Sequence, residues 1–193
     1  MPTAPAQVRV LEGARVQILK KNARNVEPLL NRIGRYLTQV SRVAFANQRF
    51  DGERWPPRSL PNIAGIVRDL EEGEFNSDRM TKATPALVDT GALRRSIRYR
   101  LTGPKTVGIY STERYAGLHN NGGTNAIPVT DEVKSNLKIL LKALPQLRKS
   151  LGFLFRRTSL SVTVPARRFL GVPDASRERI QEMTDEFFQR KRR

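Results

Sequence analysis

The first long pattern of hydrophobic and polar positions along the chain is helical. Its apolar residues recur every three or four positions and are Val26, Leu30, Ile33, Leu37, Val40 and Ala44. Side chains spaced in this way lie on one face of an α-helix. Asn25 is interpreted as the N-cap, and Pro28 falls in the first turn, where a missing N–H is tolerated. The pattern predicts a long amphipathic helix that ends near Phe50.

Two other regions alternate with a period of two, which is typical of strands with one buried face. The apolar residues of the first region are Val8, Val10, Val16 and Ile18. Those of the second are Ile97, Tyr99, Leu101, Val107 and Ile109. The first region predicts a short strand pair around Glu12-Gly13. In the second, Gly103-Pro104 supplies a turn, so we expect an antiparallel hairpin over residues 96–111.

The C-terminal half predicts further helices and one more strand. A short helix is expected to stop at Asn120–Gly123, where Gly or Asn can adopt the left-handed conformation. Residues 124–158 contain a second amphipathic pattern and are interpreted as a helical insertion. Leu160 to Val164 reads as a strand ended by Pro165. Residues 174–193 are predicted to form a C-terminal helix with a basic tail, made of Arg190, Lys191, Arg192 and Arg193.

These elements together predict an α+β fold in a single domain spanning residues 1–193. In this fold the long N-terminal amphipathic helix packs on a small antiparallel sheet, and a C-terminal helix completes the domain. A chain of 193 residues has the usual length of one domain.

The charge balance points to an acidic partner. The chain has 35 Lys and Arg against 18 Asp and Glu, a formal net charge of +17, which attracts polyanions and acidic protein surfaces. The basic residues are scattered along the chain, but Arg94, Arg95, Arg98 and Arg100, with Arg167 and Arg168, would be an unusual excess on a free monomer surface. Acidic protein neighbours are the favoured explanation, and the alternatives are the backbone of DNA or no specific partner.

Composition also excludes several kinds of site. There is no cysteine and only one histidine, so disulfides, thiolate metal sites and paired imidazoles are ruled out. No cofactor is expected. No secretory signal and no long apolar run are visible, so a soluble protein of a cytoplasm without membrane contact is expected.

The tripeptide Asp89-Thr90-Gly91 has two interpretations. It is the sequence that carries the catalytic carboxylate of aspartic proteases, which need two carboxylates sharing one proton. The arginines that follow it would hold both carboxylates ionised, so the favoured interpretation is a turn into a helix with Asp89 as N-cap. The protease remains a distant alternative.

Two aromatic residues also have competing interpretations. His119 could act as a general base, but no Ser or Cys nucleophile stands in a recognisable motif, and a histidine at a helix end is favoured. Trp55 could stack on a nucleic-acid base, but between Arg54 and Pro56-Pro57 it is more often a hydrophobic anchor.

Four stretches in chain order form a more specific pattern: FDGERWPP, LVDTGALRRSI, YAGLHNNGG and PARRFLG. Over about residues 26–172 this ordered set resembles the phage virion morphogenesis family, the Mu-type and P2-type tail completion proteins. The residues that carry the resemblance are Trp55, Asp89, Thr90, Gly91, Leu93, Arg94, Ile97, Tyr115, His119, Gly122, Gly123, Pro165, Arg168, Phe169 and Leu170. The chain departs from the family in the length of residues 124–158 and in the polar stretch from Glu71 to Lys82.

The resemblance implies a non-enzymatic α+β subunit of the head-tail neck of a phage, made in the cytoplasm of the bacterial host. Its implied partners are identical subunits in a ring, a hexamer or dodecamer, together with head-connector and tail proteins and the passing DNA. A tail terminator or a head-closure (stopper) ring is the nearest alternative. The basic tail from Arg190 to Arg193 is a candidate contact for a partner.

Overall fold

The structure is a computed structural model that describes residues 7–11, 14–19, 25–57, 63–73 and 85–190. Its helices are α1 (Glu27–Asn47), α2 (Ile63–Glu71), α3 (Ala92–Arg95), α4 (Ala116–Asn121), α5 (Asp131–Ala143), α6 (Arg148–Leu151) and α7 (Asp174–Arg190). Its strands are β1 (Gln7–Leu11), β2 (Arg15–Leu19), β3 (Arg49–Phe50), β4 (Glu53–Arg54), β5 (Ile97–Gly103), β6 (Thr106–Ser111), β7 (Gly123–Pro128) and β8 (Ser159–Val164). The predicted α+β class, with its long N-terminal helix, antiparallel sheet and C-terminal helix, is confirmed.

Tertiary contacts divide the chain into two compact units. Unit 1 consists of Met1–Trp55, Ala86–Asn121 and Ala166–Arg193, and unit 2 consists of Pro56–Pro85 and Gly122–Pro165. All four boundaries between the units lie within residues 1–193, which the sequence predicts as one domain. Most of the segment 124–158, which was expected as a helical insertion, is helical and belongs to unit 2.

The sheet of unit 1 has four strands in the order β1-β2-β6-β5, and all neighbouring strands are antiparallel. Both strand pairs predicted from the period of two are present, and Leu101 lies opposite Val107 in the hairpin. Leu101 was predicted on the buried face with Ile97, and this is wrong, since Leu101 lies near the turn and is 37% exposed. Helix α1 packs across β5 and β6. It approaches closely because Gly34 has no side chain: a Cβ atom at this position would lie 2.5 Å from Cγ of Tyr99.

Apolar side chains from α1, β2, β6 and α7 form the first core of unit 1. Most of them stand at positions that the sequence periodicity selects, but Leu29 is buried outside that pattern. The fully enclosed members are Val16, Ile18, Leu29, Leu30, Ile33, Leu37, Val107 and Ile180. A second core lies around the end of α1 and contains Phe45, Phe50, Trp55, Leu93, Ile97 and Phe169. Burial of these side chains is the main force that holds unit 1 together.

The ends of α1 differ from the prediction. The N-cap is Val26 without a side-chain hydrogen bond, and Asn25 has a left-handed backbone, with φ of 48°. Asn25 as N-cap is therefore wrong. The helix ends at Asn47 because Gln48 adopts the left-handed conformation, and the chain enters β3 before Phe50.

Unit 2 has its own core, built from α2, α5, α6 and the turns around them. Its buried residues are Ile66, Val67, Leu70, Val129, Val133, Leu137, Leu140, Leu151 and Leu154. Helix α5 begins at Thr130, whose hydroxyl accepts a hydrogen bond from Val133 N. Strands β7 and β8 pair antiparallel, so the strand predicted before Pro165 is confirmed. Most of the polar stretch expected after α2 lies outside the described residues.

Candidate docking surface

The side chain of Gln48, the residue after helix α1, holds the segment before the Asp-Thr-Gly tripeptide. Gln48 donates through Nε2 to the carbonyl of Ala86 at 3.0 Å, and its Oε1 accepts from Ala86 N at 2.6 Å. This pairing imitates one rung of a β-ladder, because both polar groups of the Ala86 backbone are satisfied by one amide. Nothing in the sequence singles out Gln48, since a glutamine at a helix end carries no signal for a distant partner.

The tripeptide lies at the start of helix α3, but the residue that caps the helix is not the predicted one. The N-cap is Gly91, with a left-handed φ of 76°, and Thr90 Oγ1 accepts from Ala92 N at 3.3 Å. Asp89 as N-cap is wrong. Asp89 is exposed in a bend before α3, whereas the tripeptide of aspartic proteases is presented from a loop between strands. Gly91 also leaves room for Arg95, whose Nη1 donates to the carbonyl of Thr90 at 2.9 Å.

The end of α3 leads directly into the hairpin. Ser96 is buried, donates to the carbonyl of Leu93 at 2.7 Å and lies 2.6 Å from the hydroxyl of Ser111. Leu93 and Ile97 face the core on either side of it. The predicted helix from Asp89 to Ile97 is therefore a single turn, and Ile97 is the first residue of β5.

Trp55 is buried and links two of the four stretches. Its Nε1 donates to the carbonyl of Arg168 at 2.7 Å, and its ring meets Phe45 edge-on at 5.2 Å. Phe45 in turn packs on Phe169 at 5.2 Å. The interpretation of Trp55 as an anchor is confirmed, because both its indole N–H and its ring are engaged within unit 1.

Asn120 fixes the PARRFLG stretch. Its Oδ1 accepts from the backbone N–H groups of Phe169 and Leu170, both at 2.9 Å, and Arg167 N donates to the carbonyl of His119 at 2.8 Å. The sequence does not single out Asn120, because Asn121 beside it has the same side chain and either residue could make such bonds. Arg167 is buried, so it does not contribute to the exposed charge as expected.

His119 lies in the last turn of α4, as predicted for a histidine at a helix end. Tyr115 is exposed and meets its ring edge-on at 5.8 Å. Gly122, with a left-handed φ of 73°, ends the helix, and Gly123, with φ of 150°, begins β7. Of the candidate tail, Arg190 ends α7 and is exposed, and Lys191 to Arg193 lie outside the described residues.

We expect the stability of the protein to fall in mild acid because of His119. Burial lowers the pKa of His119, and the nearby Arg167 guanidinium lowers it further. The unfolded chain therefore binds a proton more readily, and stability should fall as the pH drops below the ordinary histidine value of about 6.5. Melting temperatures measured from pH about 7 to about 5 should show this loss.

The variant His119→Gln is the control for that measurement, since His119 is the only histidine in the chain. Its melting temperature should change less over the same pH interval. Parallel pH profiles for the two proteins would show that His119 does not couple folding to pH.

An open groove with arginines on its walls runs beside these elements, and we call it the arginine groove. It consists of two adjoining hollows of about 580 and 250 Å³ that share Arg42 and Arg98 in their walls. Its charged residues are Arg35 and Arg42 of α1, Arg94 and Arg95 of α3 and Arg98 of β5. The stretch LVDTGALRRSI thus supplies one side of the groove and α1 the other.

Several of these guanidinium groups are held in place by backbone carbonyls. Arg42 Nη2 donates to the carbonyl of Ile97 at 3.0 Å, and Arg98 Nη1 donates to the carbonyls of Arg95 and Ile97. Within the described part of the chain, none of the groove arginines forms an ion pair with a carboxylate. Their positive charges are therefore concentrated and uncompensated, which favours binding of an anionic group.

Other kinds of site find no support in the described residues. Over these residues no group of three or more His, Cys, Asp and Glu side chains could hold a metal ion. In the same residues no helix is long and apolar enough to cross a membrane.

Comparison with known proteins identifies the family. A family model described as the phage virion morphogenesis family matches residues 9–189. The chain has no significant match among the curated proteins or the solved structures. The match spans nearly the whole chain and all four stretches, which indicates a virion-associated role in phage morphogenesis. The chain belongs to the phage virion morphogenesis family.

Proposed function

We propose that this chain is a structural tail completion protein that joins head and tail at the neck of the virion. In this proposal it forms a ring of identical subunits with sixfold or twelvefold symmetry, and it performs no catalysis. Its other partners are head-connector and tail proteins, and the passing DNA lies within reach of the ring.

The observation that carries the proposal is the structural role of the four stretches that resemble the family. Trp55 and Asn120 each hydrogen-bond to the PARRFLG backbone, and Leu93 and Ile97 fill the core. Residues of this kind build a rigid scaffold, whereas an enzyme would present groups of matched pKa in a cleft. The exposed charge beside the scaffold suits a protein whose task is to contact neighbours.

Deleting the gene for this protein from its phage should leave filled heads and finished tails that are not joined. Negative-stain electron microscopy would count joined particles, and a plasmid copy of the gene should restore them. Joined and infectious particles without the protein would contradict the proposal.

The same microscopy separates the nearest alternatives within the neck. A tail terminator would leave tails of irregular length, and a stopper would leave heads that lose their DNA. Imaging the ring that a tagged subunit occupies would then assign its position.

A further inference from the structure

We infer that the arginine groove is the contact between ring subunits and that it receives the acidic C-terminal end of α2 from a second copy of the chain. This inference rests on the proposed ring and identifies the surface through which one subunit binds the next.

The groove contains polar groups that the isolated subunit leaves unsatisfied. Thr38 is 8% exposed, and its hydroxyl has no hydrogen-bond partner among the described residues. Arg42 Nε is also buried without a partner in that part of the chain. An unsatisfied buried polar atom is destabilising, and both atoms are enclosed by protein, so the anionic ligand is expected to bond the exposed guanidinium groups of Arg35 and Arg94 instead.

The C-terminal end of α2 carries the opposite charge to the arginine groove. Glu71 is the last residue of the helix and Glu72 follows it, and both are exposed. The C-terminus of a helix carries a partial negative charge, so carboxylates at this end are unfavourable. Neither glutamate forms an ion pair with another described residue. A cationic surface would therefore stabilise this end.

The sequence makes this end the densest acidic run of an otherwise basic chain. The stretch DLEEGEFNSD, residues 69–78, contains five carboxylates and no basic residue. Asp69 is buried and pairs with Arg68 within the subunit, so the acidic run offered to a partner begins at Glu71. Carboxylate oxygens match arginine guanidinium groups in geometry and can accept two hydrogen bonds from each.

The lining of the groove favours a polypeptide over the phosphate backbone of DNA. Leu87 and Val88 form part of its wall, and Val88 is 37% exposed. Apolar wall residues gain free energy when a peptide covers them, whereas phosphate contacts need only charge. Leu87 also has a left-handed φ of 61°, a strained conformation for a leucine that is typical of functional surfaces.

A closed ring requires such a pair of different surfaces. In head-to-tail contacts each subunit presents one patch to the preceding copy and another patch to the following copy. The arginine groove and the acidic end of α2 are distinct, and their charges are opposite, so they meet this requirement.

Binding of a labelled peptide DLEEGEFNSD to the full chain tests the inference, with fluorescence anisotropy as the readout. The receptor should carry Glu71→Lys and Glu72→Lys, so that its own acidic run does not compete. Replacing Arg35 and Arg94 by Glu should weaken binding roughly tenfold, which corresponds to about 1.4 kcal/mol. Neither arginine is hydrogen-bonded to another described residue, so the fold should persist, and a thermal melt would verify this.

The matched control replaces Arg49 and Arg114, two exposed arginines outside the groove, by Glu. Because both receptors lose the same charge, only a difference between them reports on the groove. Equal peptide binding by the two double variants, or no binding at all, would overturn the inference. The inference would also be overturned if the groove variant lost affinity for a labelled DNA duplex but kept its affinity for the peptide.

If the peptide does not bind, the inference about the groove is wrong, but the proposed function is decided separately by the gene deletion. The gene deletion examines whether the protein joins heads to tails, and the peptide titration examines which surfaces meet. If the peptide binds but heads and tails join without the protein, the groove binds acidic segments and the neck proposal is wrong.

Discussion

Replacing Ile97 by Asp should abolish cooperative folding of unit 1. Ile97 is fully buried between α1, α3 and the Phe169 stretch. Removing its side chain alone costs about 2 to 5 kcal/mol, and an unpaired carboxylate in the core adds a desolvation penalty of several kcal/mol. Domains of ordinary stability have only about 5 to 15 kcal/mol to lose. Circular dichroism during heating should show no cooperative transition for this unit.

Leu101→Asp is the matched control on the same strand. Leu101 is 37% exposed, so its carboxylate would remain in water, and the expected change is about 1 kcal/mol or less. The pair differs in burial and not in chemistry. A variant of Ile97 that melts like the Leu101 variant would show that the start of β5 is not part of the core.

The periodicity of the sequence predicts α1 and the central hairpin because each has one face in the core. In α1, Ile33 and Leu37 point to the sheet, and a helix with one buried face repeats every 3.6 residues. In the hairpin, Val107 and Ile109 alternate with exposed or small residues for the same reason. Burial leaves a periodic trace in the sequence, so these elements are the predictable part of the fold.

The caps were predicted wrongly because several residues offer the same local chemistry. Asn25 and Asp89 both have side chains that can accept from free N–H groups. The structure instead begins α1 at Val26 and α3 at Gly91. Which residue caps a helix depends on the path by which the chain enters it, and that path is set by packing elsewhere.

The contacts that organise the candidate docking surface could not be predicted, since they join residues distant in sequence. Gln48 and Ala86 are 38 positions apart, and Asn120 and Leu170 are 50 apart. The arginine groove likewise joins residues that are distant in sequence. The sequence indicates an excess of charge in LVDTGALRRSI, but only the fold brings Arg35 and Arg42 of α1 to its side.

Trp55→Ala should destabilise unit 1 by about 3 to 5 kcal/mol, the range for removing a buried tryptophan. The indole occupies a site between Phe45 and the Phe169 stretch and donates to the carbonyl of Arg168. Its loss leaves a cavity and an unsatisfied acceptor in the same place. Urea unfolding followed by far-ultraviolet circular dichroism is the suitable measurement, because Trp55 is the only tryptophan and its fluorescence would be lost.

Two further variants help to interpret this loss. The first separates the packing from the hydrogen bond, and the second is a control at a more exposed aromatic residue. Trp55→Phe retains most of the packing but not the hydrogen bond, so we expect a loss of about 1 to 3 kcal/mol. Phe153→Ala removes an aromatic ring that is 40% exposed, and its effect should be about 0.5 kcal/mol. If Trp55→Ala were as mild as Phe153→Ala, Trp55 would not anchor the PARRFLG stretch. An intermediate value for Trp55→Phe would instead show that both the ring and the N–H hold that stretch in place.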